Sequence, residues 1–114
     1  MSHFSTLPTV LRDTELLVSA LEALGLQPER EGRLQGFAGE EQTVAVAIRL
    51  ADGHGLGWRP DGAGGLVLVG DLARLSRSAE LTRLLGAITR AYAARLALRD
   101  AASHFPGAVV RVSC

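Results

Sequence analysis

Histidine is the residue type in this sequence with the widest chemical use, because it binds metals and exchanges protons near neutral pH. The chain has three, His3, His54 and His104. A local metal site places two ligands close together, as in a pair four residues apart on one helix. No two of these histidines are that close, so the sequence contains no local metal-binding or acid–base pair. An enzyme or metal site built on His3 and a distant acidic residue stays open.

A glycine-rich run, Asp61-Gly62-Ala63-Gly64-Gly65, raises the alternative of phosphate binding. A phosphate-binding loop leads from a strand into a helix, and in nucleotide-triphosphate sites it ends in Gly-Lys-Ser or Gly-Lys-Thr. This run lacks that ending and lies between two predicted strands, which favours a hairpin connection. The lone cysteine, Cys114, has no partner for an internal disulfide and no neighbouring base. We therefore expect no cofactor and no catalytic or metal-binding residue here, and a binding module rather than an enzyme.

Arginine supplies every basic residue, and its 12 copies balance 12 acidic residues to a net charge of zero. Zero net charge removes any general attraction to nucleic acids or anionic membranes. The charges are unevenly distributed, because residues 1–50 hold four Arg and seven acidic residues whereas residues 51–114 hold eight Arg and five acidic residues. Guanidinium groups suit carboxylate and phosphate recognition. A GC-rich genome is the alternative explanation for the preference for Arg.

Six of these arginines fall within residues 71–103, which contain a predicted C-terminal helix. Arg83 and Arg90 are seven residues apart, so they lie along one stripe of that helix. The stripe is either a solvated outer face or a docking surface for an acidic protein or for RNA. RNA is the less favoured partner, because the chain has only five aromatic residues for base stacking. Two further candidate partner contacts are Arg59, since Arg is enriched at interface hot spots, and His3.

The elements that must position these residues begin with a short strand over residues 3–10. Pro8 suits an edge position there, because proline cannot donate to a sheet ladder. Asp13 or Thr14 can cap the following helix, and Gly25 suits the position just after its end. The apolar stripe of this helix is formed by residues at helical spacing, Leu17, Leu21 and Leu24. One or two short strands are expected between residues 26 and 37.

The clearest strand covers Thr43–Leu50, where larger apolar residues alternate with smaller or polar ones. The alternation predicts one face formed by Val44, Val46, Ile48 and Leu50. The opposite face carries Ala45 and Ala47. A homodimer through this small-residue face or through a sheet edge is compatible with the pattern.

The next strand, Leu56–Arg59, follows a turn and returns beside the first. A three-residue loop over residues 52–54 would pair Leu50 with Leu56 and Ile48 with Trp58. This register places Trp58 and the other large apolar side chains on one face, which we expect to be buried.

The remaining elements complete the domain. Leu66–Val69 is apolar on both faces, which is typical of a central or covered strand. A long amphipathic helix is predicted from Ser76 or Ser78 to about Ala102. Its apolar residues at helical spacing are Leu81, Leu84, Leu85, Ile88 and Tyr92. A final strand is predicted at Ala108–Val112.

The resulting order, β-α-β-β-β-β-α-β, predicts a single α+β domain over residues 1–114. We expect a mostly antiparallel sheet of about five or six strands with two helices on one face. The sequence has neither a membrane-spanning apolar run nor a signal-peptide pattern at Met1–Phe4, so we expect a cytoplasmic protein with no membrane partner.

Several stretches spread along the chain resemble one small family of unknown function. They are Met1–Ser5, Leu21–Gly25, Val44–Leu50 with Gly53 and Leu56–Trp58, Asp61-Gly62, and the helical Ile88 and Tyr92-Ala93. The family includes the conserved hypothetical open reading frame thirty-five of red-algal plastids and its cyanobacterial and bacterial relatives. Members commonly carry an aromatic residue near the position of Gly64 and Gly65, so this chain lacks that contact.

The resemblance implies no assigned enzymatic activity. Genes of the family are often encoded beside an AAA-type ATPase and sometimes beside a small ferredoxin-like protein, which implies an accessory subunit or adaptor. The leading hypothesis is therefore an interaction module for a protein partner, plausibly an AAA-type ATPase. The alternatives are a nucleic-acid-associated protein that uses the Arg-rich helix and an enzyme or metal protein with a dispersed site around His3.

Overall fold

The structure is a computed structural model that describes residues 4–35, 41–51, 53–71 and 77–104. It has the predicted α+β class. In chain order, its elements are β1 (Ser5–Pro8), α1 (Thr14–Ala23), β2 (Glu29–Arg30), β3 (Arg33–Gln35), β4 (Glu41–Thr43), β5 (Val46–Arg49), β6 (Gly55–Pro60), β7 (Leu66–Gly70) and α2 (Ala79–His104). The strand predicted at residues 108–112 lies outside the described residues.

Five strands form an antiparallel sheet in the order β1-β7-β6-β5-β2, and β3 pairs with β4 in a second sheet of two strands. Pro8 lies in edge strand β1, as predicted from its missing N–H group. Strand β7 is buried along its whole length between β1 and β6. Its two apolar faces therefore mark a central strand, as its sequence predicted.

Both helices pack on one face of the large sheet, which confirms that prediction. The shared core includes Leu17 and Leu21 of α1 and Ile88 and Tyr92 of α2. The sheet contributes Val46, Ile48, Leu56, Trp58, Leu66 and Leu68 to this core. Trp58 is 1% exposed, so its predicted place in the core is confirmed.

The small sheet belongs to a layer on the other face that the sequence did not predict. Leu34 and Val44 form a second buried cluster with Ala47, Val67 and Val69 of the large sheet. Ala47 is only 6% exposed. The predicted docking face at Ala45 and Ala47 is therefore wrong, because Ala47 is covered from within the chain and Ala45 packs against the core on the helix side.

The chain bends at Ala45, which divides the predicted strand Thr43–Leu50 into β4 and β5. Val44 donates its N–H to the carbonyl of Gly32 over 2.9 Å, whereas Ala45 donates to the carbonyl of Trp58 over 2.8 Å. Consecutive residues thus bond to different segments, Val44 to the residue just before β3 and Ala45 to β6 of the large sheet. Val44 turns away from the helices, so its predicted place on the same face as Val46 is wrong.

The hairpin between β5 and β6 has a register two residues away from the predicted one. Ile48 pairs with Leu56, and Val46 pairs with Trp58. Leu50 donates its N–H to the carbonyl of His54 over 2.8 Å, and Gly53 just before it has φ +91°. A glycine with positive φ is favoured at the last position of a three-residue hairpin loop. A two-residue shift leaves the paired side chains of β5 and β6 on their predicted faces.

The helix ends follow the predicted capping chemistry. The Asp13 carboxylate accepts the N–H groups of Glu15 at 2.9 Å and Leu16 at 3.1 Å, and Gly25 follows the helix end with φ +80°. At the start of α2, the Ser78 hydroxyl accepts the N–H of Leu81 over 3.1 Å. Among the described helices, none combines the length and apolar character that crossing a membrane requires.

Candidate protein-binding surface

Tyr92 helps to fix how α2 is rotated on the body of the domain. The side chain is buried, and its hydroxyl oxygen accepts the backbone N–H groups of Arg12 at 3.0 Å and Asp13 at 2.9 Å. Because buried donors need partners, this contact holds the core face of α2 against the start of α1. The opposite face of α2 consequently points away from the domain.

Two arginines near the C-terminal end of α2 are used within the domain. The Nε of Arg95 donates to the Ser19 hydroxyl over 2.9 Å. The Nη1 of Arg99 lies 2.5 Å from the Asp13 carboxylate. The N–H of Leu16, together with this guanidinium, lowers the pKa of the Asp13 carboxyl below its ordinary value. These arginines therefore attach α2 to α1.

Arg83 and Arg90 are both exposed on the outward face of α2. Their predicted place on one stripe is confirmed. Arg83 donates Nε to the carbonyl of Ala79 over 3.4 Å, within the helix. Neither guanidinium forms an ion pair with an acidic residue in the part of the chain that the structure describes. Their charges are therefore not neutralised by the described part of the domain.

The residues along the middle of this outward face, beside the two arginines, are very small. At about 100° per residue, six positions between residues 79 and 97 fall within one narrow stripe. They are Ala79, Arg83, Gly86, Arg90, Ala94 and Ala97. We call this set the outer stripe. Sequence reasoning found its two arginines but missed Gly86, although a glycine between them in a predicted helix was a visible signal.

Arg59 lies on a different part of the molecule. It follows the buried Trp58 along β6 and therefore points to the opposite face of the sheet, away from the helices. Its Nη1 donates to the carbonyl of Pro60 over 3.3 Å, and its Nε is buried with no hydrogen-bond partner among the described residues. The structure thus does not bring Arg59 together with Arg83 and Arg90.

The histidines do not form a site within the described residues. His3 lies outside those residues, and His54 is exposed beside the β5–β6 turn. Across residues 4–35, 41–51, 53–71 and 77–104, no group of three His, Cys, Asp or Glu side chains is placed to hold a metal ion.

The Asp61–Gly65 run is the predicted hairpin connection, between β6 and β7. The Asp61 carboxylate accepts the N–H groups of Ala63 at 2.7 Å and Gly65 at 3.1 Å, which lowers the pKa of this carboxyl. Two of the loop amides are therefore already bonded within the loop, by an acidic side chain that would repel phosphate.

An open depression of about 970 Å³ lies beside β2, between the end of α1 and the β5–β6 hairpin. The charged side chains that line it are Glu29, Glu31, Arg33 and Arg49. Arg33 is already paired with Glu41 at 3.2 Å. Among the described residues that line it, none has a histidine, cysteine or hydroxyl side chain, so they supply no nucleophile–base pair.

These features define an α+β domain with helices on one face of its main sheet and a short hairpin on the other. Its described part carries an exposed pair of arginines but no recognisable catalytic group. The chain belongs to the family described as Protein of unknown function (DUF1257), whose model matches residues 20–106. That match runs from the second half of α1 through the end of α2. No curated protein and no solved structure matches the chain.

Proposed function

We propose that the chain is a small non-enzymatic interaction module that docks on an acidic surface of a larger protein through Arg83 and Arg90. The supporting observation is that both guanidinium groups are exposed on one stripe and unpaired within the described residues, whereas Arg95 and Arg99 bond to α1. Charged groups at an interface steer encounter and select partners of complementary charge.

The proposed partner is an AAA-type ATPase. The sequence resembles the family of the plastid open reading frame thirty-five, and the family match over residues 20–106 covers most of the stretches that carry this resemblance. The gene neighbourhood implied by that resemblance supports an AAA-type ATPase as the partner. The module would then act in the cytoplasm as an accessory subunit.

Co-purification of tagged chain from its native cell tests this proposal. We expect an AAA-type ATPase to be recovered in stoichiometric amount with the unchanged chain and to be lost with the double variant Arg83→Glu/Arg90→Glu. Both positions are exposed, so the double variant should fold normally.

Arg12→Glu/Arg49→Glu is the matched control, because it makes the same change in net charge at exposed positions outside α2. The control should retain the ATPase. Recovery of no ATPase under gentle conditions would overturn the partner. Equal loss of the ATPase in both double variants would overturn the assignment of the surface, since net charge alone would then explain binding.

Nucleic acid is the second partner class for the same arginines. The described aromatic residues do not favour it, since Trp58 and Tyr92 are buried and Phe4 packs against the second core cluster. None of them offers an exposed ring for base stacking. An RNA titration at low salt checks this alternative, because RNA binding through Arg83 and Arg90 would weaken steeply as salt is added.

A dispersed enzyme or metal site around His3 is the third hypothesis. Metal analysis of untagged protein tests its metal branch. A stoichiometric ion that is lost in His3→Ala would favour this hypothesis over the interaction module. Absence of a bound ion would remove the metal branch.

A further inference from the structure

The outer stripe differs from an ordinary solvated helix face in its side-chain sizes. Apart from Arg83 and Arg90, its residues are Ala79, Gly86, Ala94 and Ala97, none of which has a side chain larger than a methyl group. Long charged side chains are usual on solvent-facing positions of amphipathic helices. Here the arginines are neighboured by positions whose side chains are a methyl group or a hydrogen atom.

Gly86 is not required by the internal structure of the domain. It is not among the glycines with positive φ, and a Cβ added there would meet only Arg90, with Nη1 at 3.2 Å and Cζ at 4.0 Å. That is the free end of a flexible exposed side chain. Glycine is unfavourable in a helix interior compared with alanine. Among the described residues, no packing contact explains this unfavourable choice.

A missing side chain allows another backbone to approach closely. Helices packed at small crossing angles bring successive turns into contact along their length. Arg83 and Arg90 are two turns apart, about 10.5 Å along the axis. A helix lying along the outer stripe would meet both arginines with residues that are also seven apart.

From these observations we infer that the partner segment is an acidic α-helix. It lies along the outer stripe over Gly86, with two carboxylates seven residues apart that pair with Arg83 and Arg90. This inference rests on the proposed function and specifies the chemistry of its partner. The outer stripe has no aromatic residue for base stacking, which favours an acidic protein helix over RNA as its partner.

Two synthetic helical peptides of identical composition provide the test. One carries its two Glu residues seven positions apart, and the other carries them five positions apart, on different faces of the helix. Binding is followed at low salt by the backbone amide resonance of Gly86 in a nuclear magnetic resonance titration. We expect the seven-residue spacing to bind about fivefold more tightly, because the other peptide loses one of two surface ion pairs.

The variant Gly86→Leu tests the close approach while both arginines are kept. We expect it to weaken binding of the seven-spaced peptide by about tenfold or more, because a leucine separates the two backbones, without lowering the thermal unfolding midpoint. Thr89→Leu is the matched control. It adds a leucine at an exposed position about 100° around the helix from Arg90 and should leave binding unchanged.

Equal binding of the two peptides, or unchanged binding in Gly86→Leu, would overturn the helical partner. So would failure of both peptides to bind, or tighter binding of an RNA oligonucleotide than of either peptide. If the ATPase still co-purified through Arg83 and Arg90 in those cases, the proposed function would stand without this inference. If that co-purification failed as well, both would fall.

Discussion

The Tyr92 hydroxyl oxygen lies 2.9 Å from the backbone nitrogen of Asp13, so a buried residue in the middle of α2 bonds to the residue that caps α1. The same Asp13 carboxylate pairs with Arg99, about two turns further along α2. Asp13 therefore both caps α1 and helps to hold α2 in its orientation. That orientation determines which face of α2 is turned outward.

Tyr92→Phe should destabilise the domain by about 1–3 kcal/mol, because the backbone N–H groups of Arg12 and Asp13 lose their acceptor. Urea unfolding followed by the emission of Trp58, the only tryptophan, measures the change. Thr89→Val is the control, since it removes an exposed hydroxyl bonded only to the carbonyl of Leu85. A loss no larger in Tyr92→Phe than in the control would contradict this role.

Asp13→Asn should make the free energy of unfolding less dependent on pH in the acidic range. The folded-state pKa of Asp13 lies below the ordinary value of 3.8, so its charge stabilises the fold above that pH. The advantage of the unchanged chain, up to about 1 kcal/mol at neutral pH, should disappear as pH falls through the folded-state pKa. Urea unfolding of both proteins between pH 7 and pH 2.5 checks this. A difference that stays constant over the range would contradict the assignment.

Gly25→Ala and Gly86→Ala should change stability in opposite directions. Gly25 has φ +80°, where a side chain is strained even though nothing lies within 4 Å, so alanine should cost about 1 kcal/mol. Gly86 is not in that conformation, and alanine should stabilise α2 by up to about 1 kcal/mol. Thermal unfolding of the two variants gives the comparison. Destabilisation by Gly86→Ala would reveal an internal packing role that the contacts do not show.

Gly57→Ala should destabilise the domain by about 1–3 kcal/mol through overpacking between the two sheets. An added Cβ would lie 2.9 Å from both Cγ atoms of Val44. Val44→Ala removes those atoms, so the double variant should be more stable than the sum of the two single changes predicts. Urea unfolding of the four proteins completes the cycle. Strict additivity would show that the layers do not meet at this contact.

Local chemistry explains the predictions that the structure confirms. The caps at Asp13, Gly25 and Ser78 depend on residues within a few positions of each helix end. The helical period of α2 likewise predicted that Ile88 and Tyr92 are buried while Arg83 and Arg90 share an exposed stripe. In each case, neighbouring residues carry enough information because the interaction spans one or two turns.

The alternation of apolar and polar residues along a strand predicts less than helical periodicity does. It assigns side chains to two faces only while the strand stays regular, and the bend at Ala45 breaks that condition. Val44 therefore left its predicted face. The short strands β3 and β4 contain too few residues for a clear period, so the layer that covers Ala47 was not visible in the sequence.

The sequence by itself determined the fold class, the helices, the burial of Trp58 and the stripe that contains Arg83 and Arg90. Only the tertiary structure decided which arginines remain available for a partner. Arg95 and Arg99 bond to Ser19 and Asp13, residues 76 and 86 positions away along the chain. Helical periodicity describes one element at a time, whereas the neutralisation of a charge depends on what the folded chain brings beside it.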